Sequence, residues 1–241
     1  MRGDVHGVLV TRQDGVVTIT LNHPERANAL DPAEFHELAE MFGALASATD
    51  LRAVIVTGQG ERAFCAGLNL RNAPAIAQDL ASTGPTGLSA ALRAATLLPV
   101  PLIARINGAC VAGGLGLMGA ADLVIAVNTA RFGLPEIKHG LYPHVALAGL
   151  HHRGAPGVLS RLADTGALID ASAALDADLV DMVVDRASLD VAVASALSTI
   201  AAGQIPARFI RRKGADLSMF HKRLDAADHA ARLQTIIIVN S

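Results

Sequence analysis

The sequence contains very few aromatic residues. Tryptophan is absent, and aromatic residues make up 3% of the 241 residues. Proteins that bind single-stranded nucleic acid usually stack the bases on aromatic side chains. Charged residues are also scarce, at 17%, and the formal net charge is −2. Because a nucleic-acid-binding protein needs a surplus of positive charge, we expect no nucleic-acid partner.

Cysteine and long apolar runs are scarce as well. The two cysteines, Cys65 and Cys110, are too few for the disulfide framework of a secreted domain. No stretch approaches the roughly 20 uninterrupted apolar residues that cross a bilayer. The charged N-terminal residues lack the apolar centre of a secretory signal. We therefore expect a cytoplasmic protein with no membrane contact. We also expect no metal site, because no His, Cys, Asp and Glu set has ligand spacing.

Hydrophobic residues, many of them alanine, make up 51% of the chain, which is enough for one sizeable core. The β-branched run Val16–Leu21 predicts a strand. Residues 31–34, D-P-A-E, have the spacing of a helix start, and residues 53–57 predict a buried strand. Residues 71–87 predict a loop, which is either ordinary surface or a lid over a pocket. This order of elements predicts an α/β fold.

The most unusual stretch is I-N-G-A-C-V-A-G-G-L-G-L-M-G-A-A-D, residues 106–122. Its glycines at the centre are at positions 113, 114, 116 and 119. Glycine inside a helix costs about 1 kcal/mol relative to alanine, so a cluster indicates close approach of the backbone to another group. The pattern predicts a strand over 101–106, a helix over 115–121 and a strand over 123–127. Gly113 then lies at a helix N-terminus, where free N–H groups can hold an oxyanion.

One hypothesis for this stretch is a nicotinamide-dependent oxidoreductase. Residues 114–119, G-L-G-L-M-G, match the G-x-G-x-x-G motif of dinucleotide-binding proteins. That motif needs an acid at the end of the next strand to hold a ribose hydroxyl. The residue after the predicted strand is Asn128, and Glu136 lies beyond a further turn. The match is therefore weak.

A second hypothesis rests on three motifs that occur in a fixed order. They are R-A-F-C-A-G-L-N-L at 62–70, I-N-G-A-C-V-A-G-G at 106–114, and F-G-L-P-E at 132–136. Together they resemble the crotonase superfamily, also called the enoyl-CoA hydratase/isomerase family. The resemblance extends from about Val16 to Val184.

The resemblance implies the crotonase fold, an α/β spiral of ββα units, over residues 1–184. A helical C-terminal region would follow over residues 185–241, and assembly would be a homotrimer or a dimer of trimers. Family members usually end with a helix carrying E-G-x-x-A-F-x-E-K-R, and the tail from His229 lacks that motif. Its β-branched run at 236–239 is an aggregation hazard if exposed, so we expect another surface, such as a second subunit, to cover it.

The resemblance also implies chemistry on an acyl-CoA thioester, with coenzyme A as part of the substrate and no tightly bound cofactor. The family's two oxyanion-binding N–H groups would be those of Ala66 and Gly113. Glu136 would be a catalytic carboxylate, whereas the residues alone favour a helix-start role beside Pro135. Gly116 stands where hydratases carry their other glutamate. Isomerase-type proton shuttling by one carboxylate therefore fits better than hydration, and Gly116→Glu is expected to restore some hydration if the helix presents it to the pocket.

The substrate-contacting set follows from the same resemblance. The residues expected to contact coenzyme A are Arg26, Ala27, Leu30, Ala63, Ala66, Gly67, Leu68, Asn69, Leu70, Gly113 and Gly114. An alternative is a non-catalytic acyl-CoA-binding protein that keeps the oxyanion site but has lost the chemistry.

His144 is a further candidate for acid–base work. It follows Glu136 after a G-L-Y-P turn and titrates near neutrality, so the two side chains could divide proton transfer between them. A nearby carboxylate would raise the histidine pKa, and burial would lower it. The alternative is a surface or internally satisfied histidine, which is our expectation for His139, His151 and His152.

A predicted helix after Pro206 carries Arg208, Arg211, Arg212 and Lys213. The ordinary interpretation is a solvent-exposed face. The alternative is that this helix holds a phosphate of coenzyme A, since arginine binds phosphate well.

Overall fold

The computed structural model describes residues 2–5 and 7–239, and the side chains from residue 7 to residue 234. The strands in this part of the chain are β1 (Arg2–Val5), β2 (Val8–Gln13), β3 (Val16–Leu21), β4 (Ala53–Gly58), β5 (Ala63–Cys65), β6 (Leu102–Ile106), β7 (Ala109–Val111), β8 (Leu123–Val127), β9 (Arg131–Gly133), β10 (Leu168–Asp170) and β11 (Met182–Val184). The helices are α1 (Pro32–Ala46), α2 (Ala73–Ala81), α3 (Gly87–Thr96), α4 (Gly113–Gly119), α5 (His144–Gly149), α6 (Pro156–Thr165), α7 (Ala171–Asp176), α8 (Leu189–Ala201), α9 (Ala207–Gly214) and α10 (Ser218–Val239).

The strands form two sheets. The larger sheet has the order β1-β2-β3-β4-β6-β8-β11, and its strands run parallel from β3 onward. The smaller sheet has the order β10-β9-β7-β5. Three times, a strand of the larger sheet is followed by one of the smaller sheet: β4 by β5, β6 by β7, and β8 by β9. Helices follow each pair, so the predicted succession of ββα units is confirmed.

The first helix shows how local sequence fixes an element. Glu34 accepts a hydrogen bond from the Asp31 N–H at 2.7 Å, which completes the predicted capping box at the start of α1. Phe35, Leu38 and Phe42 recur at helical spacing, and all three are buried in the core. The apolar face therefore seats α1 against the sheet.

Two local predictions were wrong. Residues 71–87 contain helix α2 and are not simply a loop. Helix α5, which begins at His144 where the predicted turn ends, was not predicted. Helix α4 begins at Gly113, two residues before the predicted start at 115. Strands β7 and β9 were not predicted because three residues are too few to show a period.

The helical C-terminal region is attached to the core by a buried ion pair. Arg212 on α9 contacts Asp122 through two hydrogen bonds, at 2.7 and 2.9 Å. It also donates to the backbone carbonyls at the end of α3 and beyond, those of Thr96, Leu98 and Val100. Arg212 is therefore a structural residue, and the solvent-exposed interpretation was wrong for it.

Helix α10 packs against α5, α2 and α3. The backbone of the run at 236–239 ends this helix, and its side chains lie outside the described residues. Across residues 2–5 and 7–239, no helix is long and apolar enough to cross a membrane.

Candidate active site

A cavity of about 260 Å³ lies beside the N-terminus of α4, bordered by α2, α5 and α10. Its apolar wall includes Phe35, Leu68, Ile76, Leu80, Leu88, Leu141 and Val145. Gly113, Glu136 and His144 all border this cavity, together with Ala66. The structure thus brings the four predicted catalytic positions to one place, although they come from segments far apart in the sequence.

The Gly113 N–H lies at the N-terminus of helix α4. Gly113 is the first residue of the helix, so its N–H has no partner in the helical ladder. The preceding residue, Ala112, has φ 53° and ψ −133°, a conformation that a residue with a side chain rarely adopts. Such strain often occurs at functional sites, where the surrounding structure maintains it. Here the conformation of Ala112 makes the turn that connects β7 to α4.

Gly67 lies directly against this N–H. A Cβ atom at Gly67 would be 2.6 Å from the Gly113 nitrogen, and Gly67 has φ +85°. Glycine is therefore required here both by space and by conformation. Its close approach places the turn after β5 beside the start of α4.

Two backbone N–H groups meet this junction, but they are not the predicted pair. The Ala66 N–H already donates to the Ala27 carbonyl oxygen at 3.0 Å. Leu30 pairs with the following turn, donating to the Gly67 carbonyl and accepting from the Asn69 N–H, both at 2.8 Å. In the described chain neither the Leu68 N–H nor the Gly113 N–H has an acceptor. This geometry argues against Ala66 as a donor, because its hydrogen bond holds the loop at 22–30 in place.

Glu136 has the environment of a working acid or base. It lies in a short 3-10 helix, Pro135–His139, with the proline at its first position. A helix-start role and a catalytic role of Glu136 are therefore compatible. Its Oε2 atom is enclosed and has no hydrogen-bond partner among the described residues. Burial raises the pKa of Glu136 to about 7.

His144 begins α5 on the same cavity, and its ring lies 5.0 Å from that of Tyr142. Burial lowers its pKa, so of the two opposing effects burial prevails. No hydrogen bond joins His144 to Glu136 among the contacts of the described side chains. His139 also borders the cavity but is exposed. The shift favours the uncharged imidazole.

Gly116, at the position of the missing glutamate, faces a neighbouring helix. A Cβ atom there would lie 2.8 Å from the Ala146 Cα on α5. One turn later, a Cβ atom at Gly119 would lie 2.5 Å from the Gly149 carbonyl oxygen. Helices α4 and α5 are therefore in backbone contact, and α5 fills the space that a glutamate would need. The expectation that Gly116→Glu restores hydration is not supported by this packing.

The same packing bears on the dinucleotide hypothesis. Gly114 lies against β5, since a Cβ atom there would be 2.3 Å from the Cys65 carbonyl oxygen. All three glycines of the G-x-G-x-x-G match thus pack inside the chain. They form no open loop around a pyrophosphate, which is what the motif does in dinucleotide-binding proteins. The oxidoreductase hypothesis loses its only motif.

The predicted coenzyme A contacts fall into two groups. Ala66, Leu68, Leu70 and Gly113 border the cavity. The other positions have structural roles in this chain: Arg26 pairs with Glu34 at 2.7 Å, Asn69 donates to Asp31 at 3.0 Å, Leu30 and Ala63 are buried, and Ala27, Gly67 and Gly114 make the backbone contacts described above. Of the predicted positions, only those of the first group border this cavity.

Several cavity residues had no signal in the sequence. Ala231 and Gln234 reach the cavity from α10, and Asp79 and Thr86 from the segment predicted as a loop. Their positions depend on tertiary packing, which a local pattern does not report. Among side chains 7–234, no group of three or more His, Cys, Asp or Glu residues is placed to hold a metal ion.

Comparison with known proteins identifies relatives of this chain. The sequence matches the enoyl-CoA hydratase/isomerase family over residues 11–228. It is 36% identical over 180 residues to (E)-benzylidenesuccinyl-CoA hydratase of Thauera aromatica, covering 72% of this chain and 68% of the relative. It is 35% identical over 181 residues to carnitinyl-CoA dehydratase of Escherichia coli (strain K12), covering 75% and 69%.

Comparison with solved structures finds the same fold in a protein of similar sequence. The crystal structure of an enoyl-CoA hydratase/carnithine racemase from Magnetospirillum magneticum is 30% identical, with a TM-score of 0.75 over 93% of this chain and 82% of that chain. The predicted fold class is therefore confirmed.

Proposed function

Because the chain belongs to the enoyl-CoA hydratase/isomerase family, we propose that it moves a proton on an acyl-CoA thioester by way of an enolate. The observation that carries this proposal is the juxtaposition in one cavity of a buried, unpartnered Glu136 carboxyl oxygen and the Gly113 N–H at a helix N-terminus. A base and an oxyanion donor are the two groups that enolate formation requires.

The proposed oxyanion donors are the N–H groups of Leu68 and Gly113. The support is that both lack an acceptor in the described chain and that they are close together. The Leu68 nitrogen lies 3.8 Å from the Cβ position of Gly113. Preorganised N–H groups spread the developing negative charge onto the thioester oxygen without reorganisation during the reaction. Leu68 takes the role that the sequence assigned to Ala66.

The proposed proton carrier is Glu136. Its carboxylate removes a proton from the α-carbon, and the electron pair moves onto the thioester oxygen. The same carboxyl group then returns the proton at the γ-carbon, which shifts the double bond of a 3-enoyl thioester to the 2-position. A pKa of about 7 suits both steps, since neither protonation state is strongly favoured near neutrality.

The proposed acyl group is an uncharged hydrocarbon. Two polar side chains on the cavity wall, those of Asp79 and Thr86, are already engaged within the protein. Asp79 pairs with His36 at 2.9 Å and accepts from the Gly87 N–H, and Thr86 donates to Asp228 at 2.7 Å. A charged acyl group would therefore meet mainly apolar walls, which is unfavourable.

A deuterium-exchange experiment tests the function. The protein is incubated in D₂O with saturated, 2-enoyl and 3-enoyl thioesters of coenzyme A, and mass spectrometry follows the label and the products. We expect exchange at the α-carbon and double-bond shift, both abolished by Glu136→Gln. The control is Glu40→Gln, which changes an exposed acid on α1.

The same experiment separates two other possibilities. A non-catalytic acyl-CoA-binding protein, favoured by the loss of a carboxylate at Gly116, would bind the thioesters without exchange. If His144 also carries protons, His144→Ala should lower the exchange rate roughly tenfold or more while the thioester still binds. Rapid hydration of a 2-enoyl thioester would contradict the isomerase assignment.

We further propose that the C-terminal region, residues 185–241, assembles the chain into a homotrimer or a dimer of trimers. Large apolar side chains are exposed there, including Ile210 on α9 at 60% and Met219 on α10 at 59%. Exposed apolar side chains of this size are typical of association surfaces when they are contiguous. Size-exclusion chromatography with light scattering measures the mass directly, and a monomer would contradict this assignment.

A further inference from the structure

A second cavity, of about 140 Å³, lies at the other end of α5. It is bordered by Gly149 at the end of α5, by His151 and His152 after it, by Arg211 on α9, and by Phe220 on α10. No described residue borders both this cavity and the one that holds Glu136. We call it the basic cavity.

The carboxylates near the basic cavity are already committed. Asp122 is held by Arg212 at 2.7 Å. Asp181 is shared by Arg153 at 2.9 Å and Arg208 at 3.4 Å. Two carboxylates thus compensate three guanidinium groups. These pairs leave neither Asp122 nor Asp181 free for a further cation.

Two further arginines lie near these ion pairs, and their side chains have no partner among the described residues. Arg211 borders the basic cavity, and Arg223 is close enough to act on His151 and His152 through its charge. Within residues 7–234, the side chains of Arg211 and Arg223 make no hydrogen bond and no ion pair. The basic cavity therefore has a surplus of positive charge.

His151 is the buried polar group of the basic cavity. Its ring stacks on Phe220, with centroids 4.0 Å apart and planes 13° apart. Both ring nitrogens are enclosed. The Ala148 and Gly149 carbonyl groups approach the ring, but neither nitrogen completes a hydrogen bond with any described residue. Buried polar atoms are normally paired, so this exception needs an explanation.

Burial lowers the pKa of His151 to about 3, and the charges of His152 and Arg223 act in the same direction. The pKa of His152 is lowered as well, by burial and by the charges of Arg223, Arg211 and Arg208. Burial is the largest cause of both shifts, and the neighbouring positive charges add to it. An anion in the basic cavity would offset the contribution of those charges.

We propose that the basic cavity binds a phosphate-type oxyanion. Arginine guanidinium groups present several N–H donors in a planar fork that matches phosphate oxygens. The His151 imidazole, whose nitrogens are unpartnered, supplies one N–H donor from the buried side while it is uncharged. A water molecule takes up about 30 Å³ in the liquid, so the cavity has room for one tetrahedral anion with a few waters. The phosphate is either free or the end of a larger molecule that remains in solvent.

Calorimetric titration with inorganic phosphate tests this site. Ionic strength is held constant with sodium chloride, because a general salt effect is not saturable. We expect one saturable site in the wild-type protein and at least tenfold weaker binding in Arg211→Gln. Lys213→Gln is the matched control, since Lys213 is an exposed cation on the same helix that does not border the cavity.

A second variant tests the buried side of the site. His151→Phe keeps a ring to stack on Phe220 but removes both nitrogens, and it should also weaken phosphate binding. The proposal is overturned if the wild-type protein shows no saturable binding, or if Arg211→Gln and Lys213→Gln weaken binding equally. Because Arg211 is exposed, its variant tests the site even if His151→Phe does not fold.

Competition identifies the source of the phosphate. The titration is repeated with saturating coenzyme A and with saturating pantetheine, which lacks the phosphates. If the site takes a phosphate of coenzyme A, coenzyme A abolishes phosphate binding and pantetheine does not. If it takes free phosphate, binding persists in both. Either result supports the site, and neither depends on catalytic activity.

Discussion

At the scale of single residues, the protonation of Glu136 is the most informative property. Because burial raises its pKa to about 7, the carboxylate form needed for proton removal is populated only as the pH rises through that value. We expect kcat/KM for double-bond shift to rise with pH to a plateau above an apparent pKa near 7. A rate that is independent of pH between 5 and 9 would contradict Glu136 as the base.

The same pKa shift makes a prediction about stability. The folded-state pKa of Glu136 lies above its ordinary value of 4.5, so the folded state binds the extra proton between these two values. Its contribution to stability is fully present below about pH 4.5 and is lost as the pH rises to about 7. Glu136→Gln should therefore gain stability relative to wild type across that window, as measured by thermal unfolding at several pH values.

Gly113 allows the backbone donor to be tested without changing a polar side chain. Proline is well tolerated at the first position of a helix and lacks an N–H. We expect Gly113→Pro to lower kcat by about 10²–10³, the usual effect of losing one oxyanion donor. Gly113→Ala is the control, because its Cβ meets the same Leu88 methyl group at 3.2 Å but the N–H remains. Equal losses in both variants would indicate a steric cause.

At the scale of elements, the contact between α4 and α5 determines what position 116 can accept. Any side chain at Gly116 collides with the Ala146 backbone. We expect both Gly116→Ala and Gly116→Glu to destabilise the protein by about 1–3 kcal/mol, the typical cost of overpacking, as measured by urea unfolding. Neither should hydrate crotonyl-CoA. A stable Gly116→Glu protein with hydratase activity would show that α5 moves aside.

The elements also show what local sequence can predict. Strands Val16–Leu21 and Leu123–Val127 agree with their predicted bounds because β-branched and apolar runs of that length are distinctive. Helix α2 was missed because it is nine residues long, no side chain caps its start, and the segment that holds it ends in glycine, proline, serine and threonine. Gly113 borders the cavity as predicted. Ala66 was assigned from the motif alone, because sequence does not show that its N–H donates to the Ala27 carbonyl oxygen.

At the scale of the whole molecule, the Arg212–Asp122 pair joins the C-terminal helices to the sheet. Asp122 is 2% exposed. Removing the cation leaves a buried carboxylate without its partner, so we expect Arg212→Met to cost about 3–5 kcal/mol in unfolding free energy. Asp122→Asn combined with Arg212→Met should recover part of this loss. Arg211→Met, on the exposed side of α9, should change stability by no more than about 0.5 kcal/mol.

The global arrangement was predictable only in outline. The three motifs indicated a spiral of ββα units, but local patterns did not place α10 against the cavity. Arg232 on α10 donates to the Leu80 and Gly84 carbonyls of the segment that covers the cavity. Contacts between residues this far apart in the sequence depend on packing, and no periodicity records them.

The position of Tyr142 has an optical consequence. It is the single tyrosine of a chain without tryptophan, and its ring forms part of the cavity wall beside His144. The tyrosine emission of the protein therefore comes from one fluorophore at the proposed acyl site. A thioester of pantetheine, which has no adenine to absorb the excitation light, would change that emission on binding. Binding of a thioester at this site can therefore be followed by tyrosine fluorescence, without an added label.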